Sequence, residues 1–329
     1  MAVSGTISRV GTLLRARRHG EAAQLLAAAA AAGEPDALAE LAQWRIAGDV
    51  VRRDLAAARA LLARAGASGK DDAALLHAYF LASGTGGPAD WRGGLAALTA
   101  LVPSEPRAAA QRRLIDAMDL DADGFPRNPP AVRELSARPH VVAAEGFMTA
   151  AECAYLVEAG APALQPSVVV DPATGRMVSH PVRRSDAAMF GVYSEDLVVN
   201  ALNRRIAALS GTRPGQGEPL QLLRYRPGGE YRPHMDALSA EANQRIVTVL
   251  VYLSDDYEGG ETNFPRTGLS FRGGAGEALL FRNAAADGRA DPMALHAGLP
   301  VTSGVKLIAS RWIRERSFTY PPPRPLVDI

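Results

Sequence analysis

Cysteine is almost absent from this chain: Cys153 stands alone among 329 residues. No disulfide can close within the chain, and a reducing compartment, the cytoplasm, is the expected location. Cys153 sits in an apolar helical pattern, so a packed thiol is expected there. The sequence also lacks any run of 18 apolar residues, so no membrane-spanning helix and no membrane partner are expected. It lacks a polybasic block as well: 36 Lys and Arg are mixed with 35 Asp and Glu, for a formal net charge of +1. That mixture carries no electrostatic footprint of a nucleic-acid partner. The alanine run Ala27–Ala32 is apolar enough to resemble a signal segment, but it follows Glu21 and consists of a strong helix former, so a helix is expected.

What is present falls into two halves with different patterning. Residues 1–120 are alanine-rich and helix-patterned, and they repeat. "DALAELAQWRIAG" begins at Asp36 and "DAALLHAYFLASG" at Asp72; "DLAAARALLARAG" begins at Asp54 and "DWRGGLAALTALV" at Asp90. Both comparisons give an offset of 36 residues. Each unit reads as two short helices, the first closed by a glycine (Gly48, Gly84) and the second opened by an aspartate cap. One such hairpin cannot bury its own apolar face and must stack on its neighbours, which predicts a helical solenoid. The units resemble Sel1-like or tetratricopeptide repeats. "DLDADGFPRNPP", from Asp119, imitates the start of a calcium loop. The twelfth position, which needs a bidentate acid, is Pro130. No calcium site is expected there, and the segment reads as a linker.

Beyond Pro130 two helices are expected, one opened by a capping box of Thr149 with Glu152 and ending at Gly160, one running from a Ser194 cap to Gly211. The remainder reads as short strands: 167–170, 178–190 in part, 220–225, 245–253, 269–272, 278–281, 301–303 and 306–314. Many short strands behind two helices suggest a barrel or jelly roll with helices on one face.

His234 and Asp236 stand two apart, and strand parity would aim both at one point. His296 follows further on. Two histidines and one carboxylate, with other coordination positions open, form the triad of non-haem Fe(II) oxygenases. A closed structural zinc site would want a fourth protein ligand, and none accompanies these. Lys306 lies ten residues past His296, in a strand that places Lys306, Ile308, Ser310 and Trp312 on one face. Two orientations stay open from the pattern alone: an ammonium snorkelling to solvent, or one buried and waiting for an anionic co-substrate.

From Glu145 to Ser317 the chain resembles the prolyl 4-hydroxylase family of 2-oxoglutarate- and Fe(II)-dependent dioxygenases. The matching pieces are "RYRPGGEYRPHMD", "QRIVTVLVYLSDDYEGGETNFP", "GEALLFRN" and "LHAGLPVTSGVKLIASRWIRE", in that order. The resemblance implies a double-stranded β-helix with flanking helices, preceded by the α-helical repeat solenoid: an α+β multidomain chain. It implies Fe(II) on His234, Asp236 and His296. It implies 2-oxoglutarate on Lys306, helped by Tyr225 and Thr262, and a peptide entrance lined by Arg245 and Trp312. O2 would be the oxidant, ascorbate the reductant, succinate and CO2 the co-products, and a hydroxylated prolyl residue of a peptide or protein the product. The expected division is 1–120 helical repeats, 121–140 linker, 141–320 catalytic domain and 321–329 tail. The repeats would recruit the protein substrate. Two readings compete: the same iron chemistry on a free amino acid or another side chain, and a non-catalytic binding protein built on the repeats. The segment between Asp236 and Arg245 is short, which bears on the substrate rather than on the iron chemistry. His140 and His180 match no ligand position.

Overall fold

The computed structural model describes residues 5–128, 130–170, 177–179, 182–238, 241–285, 288–319 and 325–327. The chain divides into two compact units. One holds residues 1–125 with 195–201 and 319–329; the other holds 126–194 and 202–318.

In the first unit, among the described residues of 1–125, seven helices follow one another: α1 (Gly5–Arg15), α2 (His19–Ala31), α3 (Pro35–Ala47), α4 (Leu55–Ala67), α5 (Asp71–Ser83), α6 (Trp91–Leu101) and α7 (Pro106–Ala117). Each packs chiefly on the next in sequence. The 36-residue offset is visible in the coordinates. α3 and α5 both end on a left-handed glycine, Gly48 at φ 76° and Gly84 at φ 79°. α4 and α6 are both capped by an aspartate whose carboxylate accepts a backbone N–H, Asp54 from Ala57 and Asp90 from Gly93. The small residues have a mechanical reason. A Cβ on Gly66 would lie 2.9 Å from Ala74, and one on Gly94 would lie 2.8 Å from the Ala78 carbonyl, so α4 and α6 approach α5 too closely for side chains there. Leu26, Leu38, Leu62, Phe80 and Leu98 fill the interior. The C-terminal segment returns to this unit: Val327 bridges Val51, and the Leu326 and Val327 N–H groups donate to the carbonyls of Asp49 and Val50.

The second unit carries β1 (Arg133–Ala137), β2 (His140–Ala144), β3 (Gln165–Pro166), β4 (Val168–Val170), β5 (Met177–Ser179), β6 (Arg183–Arg184), β7 (Asp186–Phe190), β8 (Leu220–Tyr225) and β9 (Glu230–His234). It continues with β10 (Arg245–Tyr252), β11 (Tyr257–Gly259), β12 (Thr262–Phe264), β13 (Leu269–Phe271), β14 (Ala278–Arg282), β15 (His296–Gly298), β16 (Val301–Gly304) and β17 (Lys306–Arg314). Among the described residues, eight form one sheet in the order β1-β2-β14-β10-β17-β8-β7-β3, and five form another in the order β13-β12-β15-β9-β6. The described pairings are antiparallel, as a jelly roll requires. Tyr252, Phe264, Leu279, Phe281 and Val301 form the buried core of this unit, with Phe264 edge-on to Phe281 at 5.2 Å.

The helix α8 (Ala150–Gly160) opens with the expected capping box, Thr149 and Glu152 exchanging hydrogen bonds with each other's backbone N–H. Cys153, on α8, is buried, and burial pushes its thiol up to about 11. α9 (Leu197–Ser210) starts later than expected: Asp196, not Ser194, accepts the Val199 N–H at 2.8 Å. The carboxylate is the stronger acceptor, and the Ser194 hydroxyl is turned back to the Met189 carbonyl. β1 falls within 121–140, the stretch expected to be a linker, and with β2 it extends the large sheet. Within 119–125 the Asp121 carboxylate accepts the N–H groups of Asp123 and Phe125, a local turn. Of the 178–190 stretch, residues 180 and 181, and with them His180, lie outside the described residues.

Candidate metal centre

Two neighbouring strands of the five-stranded sheet bring two imidazoles together. β9 ends at His234, β15 begins at His296, and the register makes them direct partners with ring centroids 4.3 Å apart. Asp236 lies in a bend beyond β9, not in the strand. The parity argument for His234 and Asp236 is thereby corrected: the strand stops, and the turn delivers the carboxylate. Asp236 Oδ1 lies 3.5 Å from His234 Nε2, and Oδ2 lies 3.6 Å from His296 Nε2. The three candidate ligand atoms fall within 4.8 Å of one another, and no fourth His, Cys, Asp or Glu joins them among the described residues.

Hydrogen bonds decide which atoms face the centre. His234 Nδ1 is 2.8 Å from the Arg232 carbonyl, and His296 Nδ1 is 3.0 Å from the Ala294 carbonyl. A carbonyl can only accept, so each Nδ1 carries a proton and is engaged there, which leaves each Nε2 to face the centre. Burial pushes the Asp236 carboxyl up, but His296, His234 and the Thr248 hydroxyl outweigh it and hold the group well below the usual carboxylate range. Burial takes His296 down to about 4, against the pull of Asp236. Two imidazole nitrogens turned towards one ionised carboxylate are a donor set that suits a divalent cation, so the residues fit Fe(II).

A second layer holds these groups. Thr248 Oγ1 donates to Asp236 Oδ2 at 2.6 Å and accepts from Asn283 Nδ2 at 2.8 Å, all three residues being buried. Tyr231 stacks on His234 at 3.4 Å between centroids, and Phe281 lies edge-on to His296 at 4.5 Å. Tyr231, Thr248, Asn283 and Arg183, which also lines the cavity, were not singled out by the sequence reading. Three of them lie inside the family-like pieces, Asn283 closing "GEALLFRN", but nothing in local pattern separates them from core residues.

The cavity beside the histidines reaches Lys306, Tyr225, Thr262, Ile308, Ser310 and Trp312. Lys306, Ile308, Ser310 and Trp312 thus share the inward face of β17. Lys306 is 3% exposed. Burial pushes its ammonium down to about 8, with Glu261 pulling the other way. Its Nζ donates to the Gly260 carbonyl at 2.6 Å and sits 5.5 Å from the Tyr225 ring and 5.4 Å from the Tyr252 ring. Gly259 and Gly260 both take positive φ, 67° and 69°, and that turn aims the Gly260 carbonyl at the amine. The Thr262 hydroxyl is paired with the Tyr252 hydroxyl at 2.8 Å. The two entrance residues differ. Trp312 lines the cavity, its indole Nε1 buried without a partner. Arg245 is not among the lining residues; its guanidinium pairs with Glu218 at 2.6 and 2.8 Å and lies 3.8 Å over the Trp312 ring. His140 stands apart from the cluster, 3.8 Å from Glu134.

The family model and the sequence relatives point the same way. The family model of the 2OG-Fe(II) oxygenase superfamily matches residues 220–314, from the start of β8 to the end of β17. Prolyl 4-hydroxylase 1 of Arabidopsis thaliana is 37% identical over 199 residues, covering 54% of this chain and 70% of that protein. Probable prolyl 4-hydroxylase 10 of the same plant is 35% identical over 211 residues, covering 57% of this chain and 73% of that protein. Among solved structures, the 2OG complex of the viral collagen prolyl hydroxylase of Paramecium Bursaria Chlorella virus-1 aligns with 28% identity and a TM-score of 0.43, covering 53% of this chain and 95% of that one.

Proposed function

The chain belongs to the prolyl 4-hydroxylase family of 2OG-Fe(II) oxygenases, and from that membership we propose which of its residues perform prolyl hydroxylation. The enzyme is a dioxygenase that uses Fe(II), 2-oxoglutarate and O2. When bound, the iron couples oxidative decarboxylation of 2-oxoglutarate, to succinate and CO2, to insertion of one oxygen atom into a prolyl C–H bond.

His234, Asp236 and His296 would hold the iron as its protein ligands, and a set of only three leaves room for 2-oxoglutarate and O2. Lys306 takes the distal carboxylate of 2-oxoglutarate. An ammonium and a carboxylate about 4 Å apart attract by about 4 kcal/mol at an effective dielectric near 20, before desolvation. The Lys306 amine now donates to the Gly260 carbonyl, so it is already oriented, with donors to spare for a second oxygen. Tyr225 and Thr262 border the same end. Leu223, Leu250 and Ile308 give the cavity apolar walls, which exclude water from the reaction. Trp312 faces the substrate side, where its unpaired indole N–H can donate to a peptide carbonyl; Arg245, bound to Glu218, holds the Trp312 ring from behind. Ascorbate serves as the reductant. The helical unit selects the protein substrate; the matched part of the chain is 54–57% of it, so the residues beyond that share are free for such a task.

The observation that carries this assignment is the three-ligand cluster beside a buried lysine that has no ion-pair partner within 4.0 Å among the described residues. The test is succinate formation from 2-oxoglutarate with Fe(II), joined to mass spectrometry of a proline-rich peptide. Wild type should form succinate and add one oxygen to proline, and His296→Ala should do neither. Equal succinate formation by both removes the ligand assignment. Succinate without oxygen on any prolyl residue moves the substrate to a free amino acid or another side chain.

A further inference from the structure

Strand β6 carries two consecutive arginines with different surroundings. Arg183 lines the metal cavity, whereas Arg184 lines a separate cleft of about 260 Å³. Arg224 and Arg226 line that cleft too, on the face of their segment opposite Tyr225, which points into the cavity. Asp186 is the one carboxylate among the lining residues. Its Oδ2 accepts from Arg224 Nε at 3.0 Å, Arg224 Nη2 at 2.9 Å and Arg226 Nη1 at 2.7 Å. Arg184 has no ion-pair partner among the described residues. Three guanidinium groups therefore face one carboxylate, an excess of two positive charges in a chain whose net charge is +1. A purely structural ion pair would need only Arg224 with Asp186. The Arg226 side chain is 60% exposed and Arg184 is exposed, so their remaining donors face the cleft and solvent.

The cleft stands at a defined remove from the metal centre. Arg184 is the register partner of Glu230, and His234 lies four residues further along the same strand. At about 3.3 Å per residue this is roughly 13 Å. Because the cleft lies on the opposite face, that spacing is a minimum, and an extended polypeptide with a prolyl residue at the metal would reach the cleft with a side chain about four or more positions away. Among the described residues β6 is an edge of its sheet, which leaves a way for a chain to pass around it.

We propose that the Arg184–Arg224–Arg226 cleft is a subsite for an acidic side chain of the polypeptide substrate, about four or more positions from the hydroxylated proline. The guanidinium fork matches a carboxylate with two parallel N–H donors, and the excess charge steers an acidic segment towards the cavity. The proposal rests on the reading that the substrate is a peptide or protein, and it names the chemical class of that substrate.

The test uses the full-length protein and sets of fluorescent peptides that differ only in carrying Glu, Gln or Lys at one position, scanned from about four to about eight residues to either side of one proline. Binding is followed by anisotropy and hydroxylation by mass spectrometry. A Glu peptide should bind about fivefold more tightly than its Gln twin, the scale of a partly exposed ion pair, and the Lys peptide more weakly than both. The Glu advantage should shrink with added salt and vanish in an Arg184→Gln/Arg226→Gln variant with an unchanged melting temperature. Glu and Gln peptides binding alike, or a variant that keeps the preference, overturns the proposal. So does inorganic phosphate that binds at the cleft while peptide charge makes no difference. A Glu preference in binding without hydroxylation of any peptide leaves the subsite standing and removes the prolyl-hydroxylase reading instead.

Discussion

Thr248→Val is the sharpest probe of how this site is held. The side chain is 1% exposed, and valine copies its shape while removing the hydroxyl. The hydroxyl serves twice, donating to Asp236 at 2.6 Å and accepting from Asn283 at 2.8 Å. A hydrogen bond to an ionised carboxylate is worth about 1.5–3 kcal/mol, and stranding the buried Asn283 amide adds roughly 1–3 kcal/mol. Part of this loss falls on folding. The rest falls on the metal, because Asp236 loses the contact that fixes its rotamer, and loss of such a partner typically weakens metal binding about 10–100-fold. Calorimetric titration of the metal-free protein with Mn(II) under anaerobic conditions would read that loss directly, without depending on turnover. Thr248→Ser keeps the hydroxyl and should bind Mn(II) nearly as wild type does. Wild-type affinity in the valine variant would refute the reasoning, and so would equal weakening in both variants.

Lys306→Met should raise the KM for 2-oxoglutarate about 100-fold, roughly 2.7 kcal/mol, with metal affinity unchanged; a change below about threefold would place the carboxylate elsewhere. The same lysine sets a pH limit. Burial pushes its ammonium down to about 8, and only the protonated form pairs with the carboxylate, so the affinity for 2-oxoglutarate should be full below that pH and fall as pH rises through it. KM profiles from pH 7 to 10 in wild type and in Lys306→Arg, which stays charged, would reveal or refute the limb. In the helical unit, Gly86→Ala would set a Cβ 2.1 Å from the Leu55 carbonyl oxygen at φ +73°. It should cost about 2–3 kcal/mol in thermal unfolding, against about 1 kcal/mol for Gly69→Ala, where the only penalty is the positive φ.

The parts of the fold that could be read from sequence are those whose own residues dictate them. β8 and β17 have the expected bounds, 220–225 and 306–314, because each is a run of apolar or alternating residues closed by a turn. The repeated helices were legible because capping aspartates and closing glycines recur at fixed spacing. β12 and β15 are not legible as strands, and of β9 only the end at His234 is, with Asp236 wrongly included. Each is at most five residues long, and their pairing with neighbours, not their own pattern, holds them extended. β9 even contains Pro233, which has no N–H to give; it is tolerated because the ladder with β15 is irregular between the Tyr231 and His234 pairs. The ligand types were visible, but the second layer was not. Asp236 and Thr248 are 12 residues apart and Thr248 and Asn283 are 35 apart; the bend after β9 brings the first pair together and the pairing of β10 with β14 the second.

The chain crosses between its two units more than once. Residues 195–201 and 319–329 group with the helices of 1–125, while 126–194 and 202–318 form the sheet-bearing unit. No single cut therefore separates the halves. Excising the first 125 residues would orphan two segments that count among their folding partners, one of them the opening turn of α9. The division into two units is therefore not a division of the chain into two consecutive stretches.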